Sequence, residues 1–165
     1  MNESLILNLG SYAERHGLYL AERLGFWIHG IVHAAGSNPQ LPPASAIKAH
    51  SNPEAYGRER DIYLRLQTIG TRELLGFHVP QILAFDDELR VLEMTIVTRP
   101  FVLDFAGAYL ESPPDFSDEV WDEWIEQKRD QFGQRWNKVQ EILDALQELH
   151  IHMVDVSPSN IAFRD

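Results

Sequence analysis

The sequence predicts an α+β protein in which an antiparallel sheet and one helix are followed by a mainly helical part. Two observations carry this prediction. Short apolar runs separated by glycine, proline or acidic residues fill most of residues 1–98, as is typical of strands joined by turns. Apolar residues recur at helical spacing after Asn52-Pro53 and again from Ser117 onward. We therefore expect a sheet-containing part at 1–98 and a helical part at 99–165, joined in one compact unit.

The composition limits the classes of partner. The chain has 165 residues, 44% of them hydrophobic, which suits one domain with a core. Its net charge of -11 argues against nucleic acid and against an anionic membrane surface, because both require a basic surface. No apolar stretch is long enough to span a bilayer, no signal peptide is evident, and the absence of cysteine excludes a thiolate metal site. We expect a soluble, cytoplasmic protein.

The first strands are predicted to meet at a turn that contains two glycines. Residues 1–16 suggest a strand and a turn, and residues 17–35 suggest two antiparallel strands joined near Gly25 and Gly30. Glycines at such a junction allow backbone amides to approach phosphate groups closely, although an ordinary hairpin would explain them as well.

A lysine and a glutamate stand in apolar surroundings. Lys48 lies near the end of the short apolar strand 44–49, and Glu59 lies on the apolar face of a helix that begins at Pro53. Because an unpaired charge is costly there, we predict an ion pair between Lys48 and Glu59. The alternatives are that Lys48 extends into water and that Glu59 pairs with a neighbouring arginine. The apolar face of the helix consists of Tyr56, Ile62, Tyr63, Leu66 and Ile69.

The middle of the chain is expected to hold a second hairpin, with strands at 79–85 and 89–97 and a turn at 86–88. Residues 101–110 form a short apolar segment that we expect to be helical. Residues 112–115 have the composition of a linker.

Two helices are predicted in the last third of the chain. Ser117 can cap the first, and the second follows Gly133. The second helix carries an apolar stripe flanked by tryptophans, a surface too wide to leave in water. We therefore predict a homodimer or a protein partner at these helices. The stripe consists of Val139, Ile142, Leu143, Leu146 and Leu149, and the tryptophans are Trp121, Trp124 and Trp136.

The segment from Asp155 to Asn160 has the spacing of a phosphotransferase catalytic loop. In such a loop the aspartate accepts the proton of the attacking hydroxyl, and the asparagine holds a magnesium ion on the nucleotide phosphates. Pro158, between two serines, favours the bend that turns both side chains to one side. The alternative is an ordinary polar turn.

The order of these elements resembles the protein kinase superfamily over nearly the whole chain. The strand Ala46-Ile47-Lys48 is similar to the Val-Ala-Ile-Lys strand of kinases, and Glu59 is similar to the glutamate that pairs with its lysine. Residues 24–32 are similar to the Gly-rich loop, and residues 92–98 fall where the hinge of a kinase holds adenine. The Asp155 segment follows the last helix, as in that family.

The resemblance implies a site for ATP and Mg²⁺. In such a site Lys48 would bind phosphates and take part in catalysis, Glu59 would orient Lys48, Asp155 would be the catalytic base and Asn160 would bind the metal. The residues in contact with the nucleotide would be Gly25, Gly30, Val32, Lys48, Glu59 and Met94.

The sequence also departs from the kinase pattern. Trp27 stands where the second glycine of the loop belongs, and Ser157 replaces the catalytic-loop lysine. No Asp-Phe-Gly follows Asn160, which leaves that asparagine as the one recognisable metal ligand. We therefore expect a minimal serine/threonine-kinase-like protein or a pseudokinase, which binds nucleotide with weak or no phosphotransfer. The alternative is a non-catalytic scaffold whose aromatic helices, including Phe132, dock a protein partner.

Overall fold

The computed structural model describes residues 2–27 and 29–165, without the side chains of Asn2, Phe26 and Trp27. The predicted α+β class is confirmed. Its main feature is an antiparallel five-stranded sheet with the strand order β1-β2-β3-β7-β6. These strands are β1 (Tyr19–Trp27), β2 (Gly30–Gly36), β3 (Ser45–His50), β6 (Ile82–Asp86) and β7 (Val91–Thr95).

The N-terminal segment is a helix, α1 (Asn2–Arg15), so the predicted strand and turn at 1–16 are wrong. Leu5, Leu9 and Tyr12 are buried together at helical spacing, and they pack on one face of the sheet. Tyr12 also donates a hydrogen bond of 2.8 Å to Glu93 on β7, which attaches the helix to the sheet. The helix is therefore attached to strands that come later in the chain.

The helix α2 (Pro53–Ile69) begins at Pro53, as predicted, and packs on the face of the sheet opposite α1. The Asn52 side chain caps it by accepting hydrogen bonds from the backbone amides of Glu54 and Ala55, at 2.8 and 3.0 Å. Gly70 ends it with a φ of 79°, a left-handed conformation that favours glycine. Ile69 was predicted on the buried face but is 50% exposed, because the last turn extends past the core.

Residues 101–110 are not helical, contrary to the prediction. They form β8 (Phe101–Val102), a 3₁₀ turn (Phe105–Gly107) and β9 (Ala108–Leu110). β8 pairs with β11 (Ile161–Ala162), and β9 pairs with β10 (Ile151–Met153), so their partners come from the far end of the chain. The sheet of β8 and β11 is completed by the short strands β5 (Phe77–His78) and β4 (Glu73–Leu74).

The C-terminal helices are α3 (Asp118–Phe132) and α4 (Trp136–Glu148), joined by a 3₁₀ turn at Gly133–Arg135. Ser117 caps α3, as predicted, by accepting a hydrogen bond of 3.4 Å from the Val120 amide. Within residues 2–27 and 29–165, no helix has the length and the apolar content that a bilayer crossing requires.

The apolar stripe of α4 is covered by the chain itself, so the prediction of a dimer or partner has lost its basis. Val139, Ile142 and Leu146 are completely buried, while Leu143 and Leu149 are half-buried against the same core. The neighbouring aromatic rings fold inward too, and the Trp124 indole donates a hydrogen bond of 3.0 Å to the Val154 carbonyl. One continuous core joins residues from 1–98 and from 99–165.

Candidate functional site

A cavity of about 410 Å³ lies between the face of the sheet opposite α1 and the segment that follows β7. Such a volume is typical of a site for a small organic molecule. Val32, Ala46 and Met94 form part of its apolar wall. The cavity also reaches charged groups, which lie in an otherwise apolar interior: Lys48, Glu59 and Asp104.

Lys48 lies between two carboxylates. Its Nζ is 2.7 Å from Glu59 Oε2 and 2.6 Å from Asp104 Oδ1, and the three side chains are buried. The ion pair between Lys48 and Glu59 was predicted and is confirmed. The contact with Asp104 was not predicted.

Three elements bring these groups together. Lys48 on β3 pairs with Val32 on β2 and with Leu92 on β7, which sets its side chain on the cavity face of the sheet. Glu59 projects from the buried side of α2. Asp104 has a φ of 66° and directly precedes the 3₁₀ turn, whose Ala106 carbonyl accepts a hydrogen bond of 3.2 Å from Arg58 on α2. The helix thus holds both carboxylates in place.

The attraction between the opposite charges at this site offsets the cost of burying them. Burial alone would raise the pKa of Glu59, but the Lys48 ammonium and the contact with His50 outweigh it and lower the pKa to about 2. Burial would lower the pKa of Lys48, but Glu59 and Asp104 raise it above its ordinary value. Both groups therefore remain charged at neutral pH.

His50 is a second residue that sequence reasoning missed. Its Nε2 lies 2.5 Å from Glu59 Oε2, and its Nδ1 lies 3.3 Å from the Arg90 carbonyl oxygen. The imidazole is completely buried and contacts Glu59 from the same face of β3 as Lys48. The signal was present in the sequence, because side chains two residues apart on a strand share a face and His50 follows Lys48 by two.

The sequence did not predict Asp104 at this site, because the kinase resemblance implies a metal-binding aspartate after Asn160. The sequence Asp104-Phe105-Ala106-Gly107 comes before the C-terminal helices, yet the fold returns it to Lys48. That Asn160 holds a metal stays a prediction, and Asp104 adds a buried carboxylate at the cavity. The aspartate-phenylalanine pair, closely followed by glycine, was the available signal.

The segment 155–160 folds into a closed turn around Asn160. The Asn160 Nδ2 donates a hydrogen bond of 2.6 Å to the Asp155 carbonyl, and its Oδ1 accepts one of 2.7 Å from the Ser157 amide. Asn160 is buried, so both ends of its carboxamide hold the backbone of the turn. Asp155 is exposed, and its carboxylate opposes the lowering of the Lys128 pKa that burial causes.

The turn lies beside Asp104. β8 and β11 align so that Val102 faces Ile161, and the Leu103 amide donates a hydrogen bond of 2.9 Å to the Asn160 carbonyl. Ser159 consequently lines the cavity together with Asp104. At the other end, a Cβ on Gly107 would lie 2.6 Å from the Asp155 Cβ, so the two segments are in close contact.

The predicted Gly-rich loop is part of a regular hairpin over the residues described. Gly25 pairs with Val32 next to a register shift in β1, and Gly30 pairs with His50. A Cβ on Gly30 would lie 2.3 Å from the Ala49 carbonyl oxygen, so this glycine is required by strand packing. The prediction of an altered loop concerned Trp27. The side chain of Trp27 and position 28 lie outside the described residues.

The structure thus brings together Val32, Lys48, Glu59 and Met94 at one cavity. The other predicted site residues, Gly25, Gly30, Asp155 and Asn160, are not among its described lining residues. Nor do the described residues include a cluster of three or more histidine, aspartate or glutamate side chains arranged to hold a metal ion. A metal at this cavity would therefore need further ligand atoms, from water or from a bound molecule.

Comparison of the sequence with models of known protein families finds no match. Comparison with curated protein sequences finds no match either.

Proposed function

We propose that this chain is a kinase-like protein that binds ATP, or a related nucleoside triphosphate, together with Mg²⁺ in the 410 Å³ cavity. The observation that carries this proposal is the buried contact of Lys48 with both Glu59 and Asp104. Lys48 lines the cavity, so its ammonium group can contact an anionic group of a ligand, in addition to its pairing with the two carboxylates.

The donor set fits magnesium bound through phosphates. Mg²⁺ is commonly held by one or two carboxylates together with substrate phosphates and water. Asp104 contacts Lys48 through Oδ1, and its Oδ2 would be the oxygen that binds the metal ion. Ser159 lies on the same wall and can contribute a hydroxyl group. The metal would neutralise phosphate charge that Lys48 alone does not balance.

The outer part of the cavity fits a planar heterocycle. Val32, Ala46 and Met94 supply apolar surface, and the segment that includes Ile96 and Val97 forms one edge. That segment follows β7 without regular secondary structure, so backbone amides and carbonyls there can pair with the edge of a base. These features support the hinge role that the kinase resemblance implies for residues 92–98.

The geometry supports nucleotide binding more strongly than phosphotransfer. Asp155, the base in the kinase interpretation, is exposed beside the turn, and Asn160 is engaged with the backbone. We therefore retain weak or no phosphotransfer as part of the proposal. The scaffold alternative gains no support, because Phe132 and Trp136, two of its docking residues, are buried within the chain.

A matched pair of substitutions tests nucleotide binding. Ala46→Leu places a larger side chain in the cavity wall, whereas Ala44→Leu makes the same change at an exposed position two residues earlier. Isothermal titration calorimetry with ATP and Mg²⁺ should show binding to the wild type and to Ala44→Leu, and at least about tenfold weaker binding to Ala46→Leu. Equal affinity of the two variants would remove the cavity as the site. A wild type that does not bind would contradict the proposal itself.

A further inference from the structure

We infer that a second cavity, of about 340 Å³, binds the phosphate group of a small phosphorylated molecule. This cavity lies between the end of α3 and strand β11. Arg99, Gln131 and Arg135 supply its polar side chains, and Pro158 and Phe163 form part of its remaining wall. It shares Arg99 with the first cavity, but the ligand inferred here does not depend on ATP binding.

The charge of this cavity is unusual for the chain. The protein has a net charge of -11, yet the described lining residues of the second cavity include two arginines and no acidic residue. A guanidinium group presents a planar set of donors that matches the oxygens of a phosphate. Two such groups at one cavity favour a doubly charged phosphate monoester over a singly charged carboxylate.

Arg135 is held in position by an aromatic ring. Its guanidinium carbon lies 4.9 Å from the centroid of the Phe163 ring, a cation–π contact. Phe163 is itself packed edge-on against Phe77, with 5.0 Å between the ring centroids. The arginine is therefore oriented before a ligand arrives, which lowers the entropy lost on binding.

The ion pair between Arg99 and Asp165 is weak enough for a ligand to replace Asp165. Arg99 Nη1 lies 3.0 Å from Asp165 Oδ1, but the side chains of Arg99 and Asp165 are 55% and 95% exposed. Exposed pairs of this kind contribute little to stability. A phosphate in the cavity can therefore compete with the Asp165 carboxylate for Arg99.

The cavity also adjoins the 155–160 turn. Pro158 lines the second cavity and Ser159 the first, while Arg99 lines both. A phosphate bound at Arg99 and Arg135 would therefore hold its organic part next to this turn. The volume suits a small organic molecule, so we assign the ligand to that class.

Calorimetric titration with glycerol 3-phosphate at low ionic strength tests this site, with glycerol as the uncharged probe and glycerate as the carboxylate probe. The wild type should bind glycerol 3-phosphate saturably, glycerate more weakly and glycerol not at all. Arg135→Gln should weaken the binding of glycerol 3-phosphate by at least about tenfold, because one bidentate contact is lost. Arg129→Gln, at an exposed arginine outside the cavity, should change the affinity by less than about twofold.

The outcomes also separate this site from the nucleotide cavity. Ala46→Leu should leave the affinity for glycerol 3-phosphate unchanged, and Arg135→Gln should leave the affinity for ATP unchanged. The inference is overturned if the wild type does not bind glycerol 3-phosphate, if Arg129→Gln and Arg135→Gln weaken binding equally, or if Ala46→Leu abolishes it. Failure of ATP binding with retention of the phosphate site would contradict only the proposed function.

Discussion

Asp104 Oδ1 lies 2.6 Å from Lys48 Nζ, although the two residues are 56 positions apart in the sequence. Lys48 also contacts Glu59, so one ammonium group connects β3, α2 and the segment that follows β8. Each of these charges is too deeply buried to be stable alone. The cluster is therefore a structural requirement of this fold as well as its candidate ligand site.

Removal of the central cation should be strongly destabilising. Lys48→Met leaves two buried carboxylates without their shared partner, and breaking a buried pair in this way typically costs about 3–5 kcal/mol. Lys138→Met is the matched control, because Lys138 forms only a surface pair of 2.9 Å with Glu141, and it should cost at most about 1 kcal/mol. Urea denaturation measures both. Similar free energies of unfolding for the two variants would show that the cluster contributes little.

The stability contribution of Glu59 should disappear in acid. Its pKa is lowered from 4.5 to about 2 in the folded protein, so its contribution is present above pH 4.5 and is lost as the pH falls towards 2. Glu59→Gln cannot titrate at this position. The difference in free energy of unfolding between wild type and Glu59→Gln should therefore narrow below about pH 4.5. A difference that stays constant from pH 7 to 3 would contradict the lowered pKa.

Gly107 should not tolerate a methyl group. A Cβ at this position would lie 2.6 Å from the Asp155 Cβ, so Gly107→Ala must displace the 155–160 turn, at a cost of about 1–3 kcal/mol. Gly57 in α2 has nothing within 4 Å of a Cβ, and Gly57→Ala should stabilise the helix by about 0.5–1 kcal/mol. Thermal unfolding should thus shift in opposite directions. Equal shifts would argue against the contact between Gly107 and Asp155.

Local patterns in the sequence predicted part of this site correctly. The apolar surroundings of Lys48 and the helical spacing around Glu59 predicted their ion pair, because strand and helix periodicities are properties of neighbouring residues. Asn52 and Ser117 likewise identified where helices begin, since a capping side chain acts within three residues.

The features that the sequence did not predict depend on residues far away in the chain. The strands within residues 101–110 pair with β10 and β11, far along the chain, and with β5. Asp104 reaches Lys48 through that same pairing. The apolar stripe of α4 suggested an interface because the periodicity of a helix does not show what covers it. The helix α1 is a different case. Its buried residues Leu5, Leu9 and Tyr12 recur at helical spacing, which is a local pattern in the sequence.

Magnesium-dependent binding of ATP to wild type and to Asp104→Asn is the most direct test of the proposed nucleotide site. Asp115→Asn, at an exposed position, serves as the matched control. In calorimetric titrations, wild type and Asp115→Asn should bind ATP at least about tenfold more tightly with Mg²⁺ than without it, whereas Asp104→Asn should lose most of that difference because its amide is a poorer metal ligand. An Asp104→Asn variant that retains the full magnesium effect, or a wild type that does not bind ATP, would contradict the assignment of Lys48, Glu59 and Asp104 to a magnesium-nucleotide site.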